Sequence, residues 1–187
     1  MKKIALALAL ISISIPSLTQ AKEGEQTIGS FKINYPNKFN YAKEITKKFK
    51  DATDETVAKS VVGYSAEPTC KLASVVLNKT EYIKDLGVTS ESMEAQANEA
   101  FNNFPSHIEL LSHSTASPKL PGVEAFSTQM TVKVEGVYGF ANIVQFYIPS
   151  KKEFYQLSFS GTPENEKEDK QMQSCVKSIV DSIGVVQ

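Results

Sequence analysis

The sequence contains no arginine and no tryptophan, so lysine supplies all of its permanent positive charge. Arginine is the residue best suited to bidentate contacts with phosphate groups and guanine. The formal net charge of the 187-residue chain is −1 at pH 7, so the chain also lacks the basic excess of most nucleic-acid-binding proteins. Both absences argue against nucleic acid as a partner.

Motifs for catalysis and for cofactor binding are also missing. The only histidines, His107 and His113, are six residues apart in a stretch predicted to be extended, which is too far for both to bind one metal ion. No Gly-x-Ser-x-Gly nucleophile elbow occurs, and Gly136 and Gly139 match neither phosphate-binding fingerprint. We therefore expect no catalytic residue, no metal and no cofactor.

The sequence has no apolar run long enough to span a bilayer comfortably. Its longest run, Ile4–Ile15, follows two lysines and precedes the small residues Thr19 and Ala21. This order is typical of a secretory signal peptide cleaved after Ala21, and an uncleaved anchor is the alternative. We expect residues 1–21 to be a bacterial signal peptide and residues 22–187 to form a single α+β domain. The mature chain would be periplasmic or secreted, without stable membrane insertion.

Only two cysteines are present, Cys70 and Cys175, and they do not form a Cys-x-x-Cys redox motif. An even number of cysteines in an exported protein favours a disulfide. On the loop-entropy model, closing this loop of about 105 residues stabilises the fold by roughly 4–5 kcal/mol. The alternative is two buried free thiols that pack as small apolar side chains.

The C-terminal half carries the clearest local pattern. The β-rich runs Gly122–Glu135 and Val137–Ile148 meet at Gly136 and predict a long hairpin. Phe154–Ser160 alternates apolar and polar residues, so it predicts a strand antiparallel to the second run. Apolar residues then recur at helical spacing up to Ile183, which predicts a long C-terminal helix.

The start of that helix is predicted at Thr162 and Pro163, a typical cap and first-turn pair. The N-terminal half gives weaker signals for further elements. Strands are predicted at Ser30–Tyr35, Ser60–Ala66, Lys71–Leu77 and His107–Ser114, helices at Tyr41–Lys50 and between a Ser90 cap and Pro105, and a loose lead-in at Lys22–Thr27. Strands that follow one another favour an α+β fold over a doubly wound parallel sheet.

The predicted hairpin is rich in aromatic residues, among them Tyr138, Phe140 and Tyr147. If no helix covers one of its faces, these side chains would form an exposed interaction patch for a partner or a ligand. The alternative is ordinary core packing, since a sheet of this size needs many buried side chains.

Three segments bracket the proposed domain. Phe31–Pro36 is an aliphatic-aromatic strand closed by Tyr-Pro, Tyr155–Ser160 reads Tyr-x-Leu-x-Phe-Ser, and Ile179–Ile183 ends the last helix. This pattern resembles the PsbP/DcrB-like superfamily. The resemblance implies a central antiparallel sheet flanked by helices, an α/β/α sandwich. It also implies adaptors, assembly factors and chaperone-like binders, generally without catalytic residues, and it assigns no functional residue because members share a scaffold rather than a site.

We therefore expect a non-catalytic periplasmic or secreted binding module whose partner is another envelope or secreted protein. The first alternative is a carrier of a small apolar ligand, which predicts a closed, aromatic-lined cavity beside the hairpin. The second is a hydrolase-type enzyme without a recognisable motif. It predicts a polar cleft with a histidine or carboxylate of perturbed pKa, and His107 and His113 are its best candidates.

Overall fold

A computed structural model describes residues 24–186, so the predicted signal peptide lies outside the described part of the chain. In this range the strands are β1 (Glu25–Ile28), β2 (Phe31–Asn34), β3 (Asn40–Tyr41), β4 (Ala58–Ala66), β5 (Ser74–Tyr82), β6 (Glu109–Ala116), β7 (Glu124–Val134), β8 (Val137–Ile148), β9 (Glu153–Gly161) and β10 (Gly184–Val185). The helices are α1 (Lys43–Ala52), α2 (Ser90–Asn102) and α3 (Glu166–Val180). Over residues 24–186, none of these helices combines the length and apolarity needed to cross a membrane.

Seven strands form one antiparallel sheet in the order β3-β4-β5-β9-β8-β7-β6. The remaining strands form a small sheet in the order β1-β2-β10. The predicted hairpin is β7–β8, and its turn residues Glu135 and Gly136 have positive φ angles of 50° and 87°. As predicted, β9 pairs antiparallel with β8, with Leu157 opposite Val144.

Helices and the small sheet cover the two faces of the large sheet. Helices α1 and α2 pack on one face, which we call the α2 face. Helix α3 and the small sheet pack on the other, the α3 face, where the ring of Phe31 stacks on that of Tyr155 at 5.5 Å between centroids. The predicted fold is confirmed: an α+β protein with a central antiparallel sheet flanked by helices, an α/β/α sandwich with a long C-terminal helix.

Two glycines allow helices to approach the sheet closely. A Cβ atom at Gly63 of β4 would lie 2.5 Å from Cγ2 of Ile45 in α1. A Cβ atom at Gly161 of β9 would lie 2.5 Å from Sδ of Met172 in α3. At Gly63 the backbone N of Thr46 is also only 3.0 Å away, so this site needs glycine for packing rather than for turn conformation. At Gly161 the close atoms are the flexible end of Met172, so a larger residue there would require this side chain to move.

The main hydrophobic core lies between the α3 face, α3 and β2. The strands that contribute to this core alternate between side chains that point into it and side chains that point away, and the inward side chains are apolar and almost without solvent contact. They include Phe31, Ile33, Val75, Leu77, Val144, Phe146, Tyr155, Leu157 and Phe159, which pack against Met172, Val176 and Ile179 of α3.

A disulfide joins Cys70 to Cys175, as the sequence predicted, across a Cα separation of 6.1 Å. Cys175 lies on α3 and Cys70 lies in the turn before β5, where Cys70 and Lys71 have positive φ angles of 58° and 60°. The Lys71 ammonium also pairs with the Glu168 carboxylate of α3. A covalent bond and an ion pair therefore attach this turn to the helix.

The start of each long helix differs from the prediction. Helix α3 begins at Glu166, and its N-cap is Asn165, whose Oδ1 accepts from the backbone N–H groups of Lys167 and Glu168 at 3.1 Å. Thr162 and Pro163 instead belong to the connection after β9. Helix α2 is capped by Thr89 rather than Ser90, because Ser92 N–H donates to the Thr89 hydroxyl. Asparagine and threonine are equally ordinary caps, so the sequence alone did not choose among neighbours.

Two strand predictions were also wrong in extent. Strand β5 starts at Ser74 and continues to Tyr82, beyond the predicted end at Leu77, because it pairs with both β4 and β9 over this length. The predicted loose lead-in Lys22–Thr27 overlaps β1, because Glu25–Ile28 pair antiparallel with β2. In both cases long-range hydrogen bonding stabilises segments whose polar composition alone predicts loops.

A hydrogen-bonded cluster fixes the small sheet to the large one. The Tyr155 hydroxyl donates to Glu153 Oε2 at 2.8 Å and accepts from the backbone N–H of Ser30 at 2.9 Å. Glu153 also pairs with Lys79 at 2.6 Å, and these two side chains are only 12% and 18% exposed. Burial alone would raise the pKa of Glu153, but the hydrogen bonds from Lys79, Ser30 and Tyr155 outweigh it, so this pKa lies below its usual value.

The disulfide makes a first prediction. Thiol titration of denatured, unreduced protein should find no free thiol, and two per chain would contradict the bridge. Replacing both cysteines by alanine should lower the free energy of unfolding by about 4 kcal/mol in urea titrations, since the unfolded chain regains loop entropy. Reductant should destabilise the natural chain and leave this double variant unchanged, which controls for effects of the reductant itself.

The buried cluster makes a second prediction, on pH. Because the pKa of Glu153 is lower in the folded chain than in the unfolded chain, its stabilising contribution is present above the ordinary carboxyl range and is lost as the pH falls below about 5. Glu153→Gln should cost about 1–3 kcal/mol at pH 7 and flatten the loss of stability between pH 6 and pH 3. Urea unfolding at several pH values measures both. Glu135→Gln, in the exposed β7–β8 turn, is the control, and an equal flattening there would refute this assignment.

Candidate functional site

A cleft of about 610 Å³ lies on the α3 face, between α3 and the strands at one end of the large sheet. We call it the α3 cleft. Its floor is made by Ser127, Gln129 and Asn142 of β7 and β8, and one wall is made by the end of β6 and the segment after it, from Ser114 to Pro118. The other wall runs along α3 to its C-cap and consists of Lys170, Gln173, Ser174, Lys177, Val180 and Asp181.

The floor is polar, although the rest of the same face is apolar. The inward positions of β9 are Tyr155, Leu157 and Phe159, all buried in the core. On β7, the positions that face the same side include Ser127 and Gln129. The contrast follows from coverage, because the core side chains lie under α3 and β2 whereas these polar residues line open space.

Asn142 is the least satisfied side chain of the α3 cleft. It is 5% exposed and lies on β8 opposite Gln129 on one side and Phe159 on the other. Its Oδ1 atom is fully buried and has no hydrogen-bond partner among the described residues. An unpaired buried polar group costs about 1–3 kcal/mol. Such a group calls for an explanation, and a donor bound in the cleft would supply one if a small rotation of the Asn142 amide turned Oδ1 towards it.

Asp169, a buried acid of α3, is by contrast fully used within the protein. Its carboxylate accepts hydrogen bonds from Thr131 Oγ1 at 3.0 and 3.1 Å and from Gln173 Nε2 at 2.8 Å. Asp169 is therefore a positioning residue that holds the Gln173 amide against the cleft, with Thr131 fixing it to the sheet. No group of three His, Cys, Asp or Glu residues that could hold a metal ion occurs within residues 24–186.

The rim of the α3 cleft carries positive charge. Lys177 forms an ion pair with Asp181 at 2.6 Å, one helical turn away, and both side chains are exposed. Lys170 also lines the cleft, and no carboxylate in the described part of the chain lies within ion-pair distance of it. The cleft therefore offers amides and hydroxyls on its floor and an unneutralised ammonium on its edge.

The three aromatic residues predicted as an interaction patch do not form one exposed surface. Phe140 is 2% exposed in the core of the α3 face, and Tyr147 is fully buried on the α2 face. Tyr138 is half-buried, with the Lys133 ammonium 5.2 Å from its ring centroid. Side chains alternate between the two faces along a strand, and Phe140 and Tyr147 are seven positions apart on β8, so they lie on opposite faces and cannot form one patch. For these two residues the core-packing alternative is correct.

Tyr147 has a structural role that its burial makes clear. Its hydroxyl donates to Asp85 Oδ1 at 2.5 Å and accepts from the backbone N–H of Leu86 at 3.2 Å. Burial and the bond to Asp85 raise the pKa of Tyr147. The tyrosine thus anchors the loop between β5 and α2 from beneath.

The two histidines lie apart from the α3 cleft. His107 is exposed in the turn before β6. His113 is exposed on β6, and its ring centroid lies 4.5 Å from that of Phe101 in α2. This placement brings neither histidine together with the other or with the cleft floor.

A second, smaller groove lies under α2 beside the β7–β8 hairpin, where the carrier hypothesis expected a cavity. Its volume is about 240 Å³, and it is lined mainly by Met93, Ala97, Phe101, Phe104, Met130 and Ile143. We call it the α2 groove. Several of its lining residues, including Gln96 and Ala100, are exposed, so the groove is open to solvent rather than closed.

Sequence reasoning missed the α3 cleft. On β7 the apolar residues Phe126, Met130 and Val132 share one face, and Ser127 and Gln129 lie on the other, for which the sequence analysis makes no prediction. The signal that the sequence offers is the absence of any charged residue between Glu124 and Lys133, including on the face that carries Ser127 and Gln129. That signal does not separate a solvated face from a polar cleft floor, because the difference depends on where α3 lies.

The unpaired Asn142 makes a third prediction. Asn142→Leu should leave the free energy of unfolding unchanged or raise it by about 1–3 kcal/mol, because it removes a buried acceptor without a partner. The matched control is Thr131→Val, which should lower it by about 1–3 kcal/mol because Asp169 loses a hydrogen bond. Urea unfolding at pH 7 measures both. A loss of stability in Asn142→Leu as large as that in Thr131→Val would mean that the asparagine supports the fold rather than a ligand.

Comparison with known proteins agrees with this architecture. A search of the curated proteins found no match. The sequence model of the PsbP family matches residues 21–185, a range that contains every strand and helix of the described structure. The chain belongs to the PsbP family.

Proposed function

We propose that this chain is a non-catalytic binding module that holds a protein partner at the α3 cleft. The observation that carries the proposal is the buried, unpaired Oδ1 of Asn142 in the polar floor of an otherwise apolar face. Folding tolerates such a group at a cost, and a bound group that donates to it would offset this cost.

The chemistry of the α3 cleft supports binding rather than catalysis. Its polar side chains are amides, hydroxyls, two lysines and Asp181, which is paired with Lys177. The buried acid beneath the α3 wall, Asp169, already accepts three hydrogen-bond contacts from the protein. A hydrolase needs a nucleophile with a neighbouring base, and both histidines lie elsewhere. Amide and hydroxyl groups are the kind that hydrogen-bond to polypeptide backbone and polar side chains.

A location outside the cytoplasm fits the same picture. A disulfide between Cys70 and Cys175 is stable in an oxidising compartment and rare in a reducing one. The Lys2 and Lys3 start followed by the Ile4–Ile15 apolar run supports export through a signal peptide. The proposed partner is accordingly another envelope or secreted protein.

A carrier of a small apolar ligand is the second candidate, and the α2 groove is the observation that favours it. Phe101, Phe104 and Met93 offer an apolar lining of the kind that small-molecule sites use. The volume of about 240 Å³ is below the roughly 300–1,000 Å³ of drug-sized sites, and the groove is open. The candidate therefore ranks second.

Site-specific photo-crosslinking tests the proposal and makes a fourth prediction. A photoreactive residue at Ser174, which lines the α3 cleft, should form a protein adduct in the native compartment. The same residue at Ser178, exposed on α3 but outside the lining, is the matched control and should not. The purified adduct partner should then bind Asn142→Leu and Lys170→Glu at least tenfold more weakly than the natural chain, because each loses a polar contact.

The remaining outcomes separate the alternatives. Native mass spectrometry that finds a small apolar molecule on the chain, lost in Phe101→Ser, would favour the carrier function. Equal crosslinking at Ser174 and Ser178, or unchanged affinity in both cleft variants, would contradict binding at the α3 cleft.

A further inference from the structure

One edge of the large sheet is open. Strand β6 pairs with β7 on one side and with no strand of residues 24–186 on the other. Six consecutive residues, Leu111–Ala116, are exposed. In an antiparallel edge strand every second residue directs its N–H and C=O groups outward, so β6 presents a row of unpaired backbone groups.

The usual protection of an edge is absent from most of β6. Proteins guard open edges with charged side chains, with proline, with β-bulges or with very short strands. The opposite edge strand of this sheet, β3, has only two residues. In β6, the segment Leu110–Ala116 contains no lysine, no carboxylate and no proline, and its one irregularity is the register shift between Leu110 and Ser112.

The two faces of β6 differ in polarity, so a strand added beside it would have different neighbours on each face. Ser112, Ser114 and Ala116 lie on the α3 face, opposite Thr131, Gln129 and Ser127, and this small-residue row borders the α3 cleft. On the α2 face, Leu110 and His113 lie beside the α2 groove region, where His113 packs on Phe101. One side is roomy and polar, and the other is apolar and aromatic.

We propose that β6 accepts an extended segment of a partner polypeptide as an additional strand, with alternate side chains of that segment entering the α3 cleft. The proposal rests on the proposed function, and it names the partner's conformation and chemistry. Backbone groups in a row are complemented by another extended backbone, which gives affinity, and the alternate side chains give specificity.

Charge and packing define the partner segment further. Side chains directed to the α3 face would meet the cleft amides and the Lys170 ammonium, which has no carboxylate partner in the described residues. Side chains directed to the α2 face would meet Leu110, His113 and Phe101. The expected segment therefore alternates acidic or polar residues with apolar ones over about six residues, the exposed length of β6.

Selection from displayed random decapeptides against residues 22–187 tests this inference and makes a fifth prediction. Enriched peptides should alternate apolar with acidic or polar residues. Binding should weaken at least tenfold when N-methyl groups are placed on alternate residues along one edge of the peptide, while N-methylation along the other edge changes it little. This pair of peptides has identical side chains, so it isolates the backbone hydrogen bonds.

Variants of the chain give an independent measurement. The backbone N–H groups of Ser114 and Thr115 point to opposite edges of β6. Of the variants Ser114→Pro and Thr115→Pro, one therefore removes a donor from the open edge, and the other removes a hydrogen bond to β7. The variant that keeps the natural circular dichroism and melting temperature should lose peptide binding at least tenfold. Lys170→Glu should disfavour acidic peptides, whereas Lys167→Glu, exposed on α3 outside the cleft lining, should not.

Three results would overturn the inference. The first is that no peptide is enriched, and the second is that the two N-methylated peptides bind equally. The third is a stable dimer of the natural chain in sedimentation experiments that becomes a monomer in the folded proline variant, since a second copy would then occupy the β6 edge. Crosslinking at Ser174 that persists in the folded proline variant would overturn strand addition alone and leave binding at the α3 cleft intact. If the chain with natural β6 forms no protein adduct at Ser174, the proposed function is contradicted as well.

Discussion

One helix and one small sheet are too small to cover a whole face of the seven-stranded sheet, and the rest of the structure depends on this incomplete coverage. Six strand spacings of about 4.8 Å give a sheet roughly 29 Å wide. A helix is about 10 Å across with its side chains, and α3, with 15 residues, is about 22 Å long. Together with β2, α3 covers the part of the face between β5 and β8, and β6 and part of β7 remain uncovered.

The position of α3 is fixed at several points, so the uncovered corner does not close by a shift of the helix. Gly161 admits Met172 to the sheet surface, the disulfide ties Cys175 to the turn before β5, and Asp169 binds Thr131 on β7. Each contact joins α3 to a different segment of the chain. The α3 cleft is therefore a consequence of how the helix is anchored, and its polar floor is the composition that an uncovered but sheltered corner requires.

The two binding features of the protein follow from the same geometry. The floor of the α3 cleft contains the unpaired Asn142, and its outer wall is the open strand β6. A partner strand on β6 would extend the sheet and also bring side chains over the floor, so the two features are complementary parts of one surface. A scaffold that leaves one corner open in this way can acquire different partners by changing only the residues around it.

Much of the fold was readable in the sequence because its signals are local. The alternation of Phe154–Ser160 predicts a strand, the β-rich runs on either side of Gly136 predict a hairpin, and the even cysteine count predicts the disulfide. Those patterns reflect the two-residue period of strands, the 3.6-residue period of helices and covalent chemistry. Segments held by long-range pairing, such as β1 and the second half of β5, were missed because their composition is that of loops.

The candidate site was beyond the sequence. The aromatic residues that looked most like a binding patch, Phe140 and Tyr147, are buried, and the side chains that line the α3 cleft are ordinary serines, amides and lysines. By itself the sequence determined the β7–β8 hairpin, the strand β9 that follows it and the long C-terminal helix, and it favoured the Cys70–Cys175 bond. Only the tertiary structure decided which polar residues are sheltered and which strand has an open edge, because both depend on where α3 packs across residues that are distant in the chain.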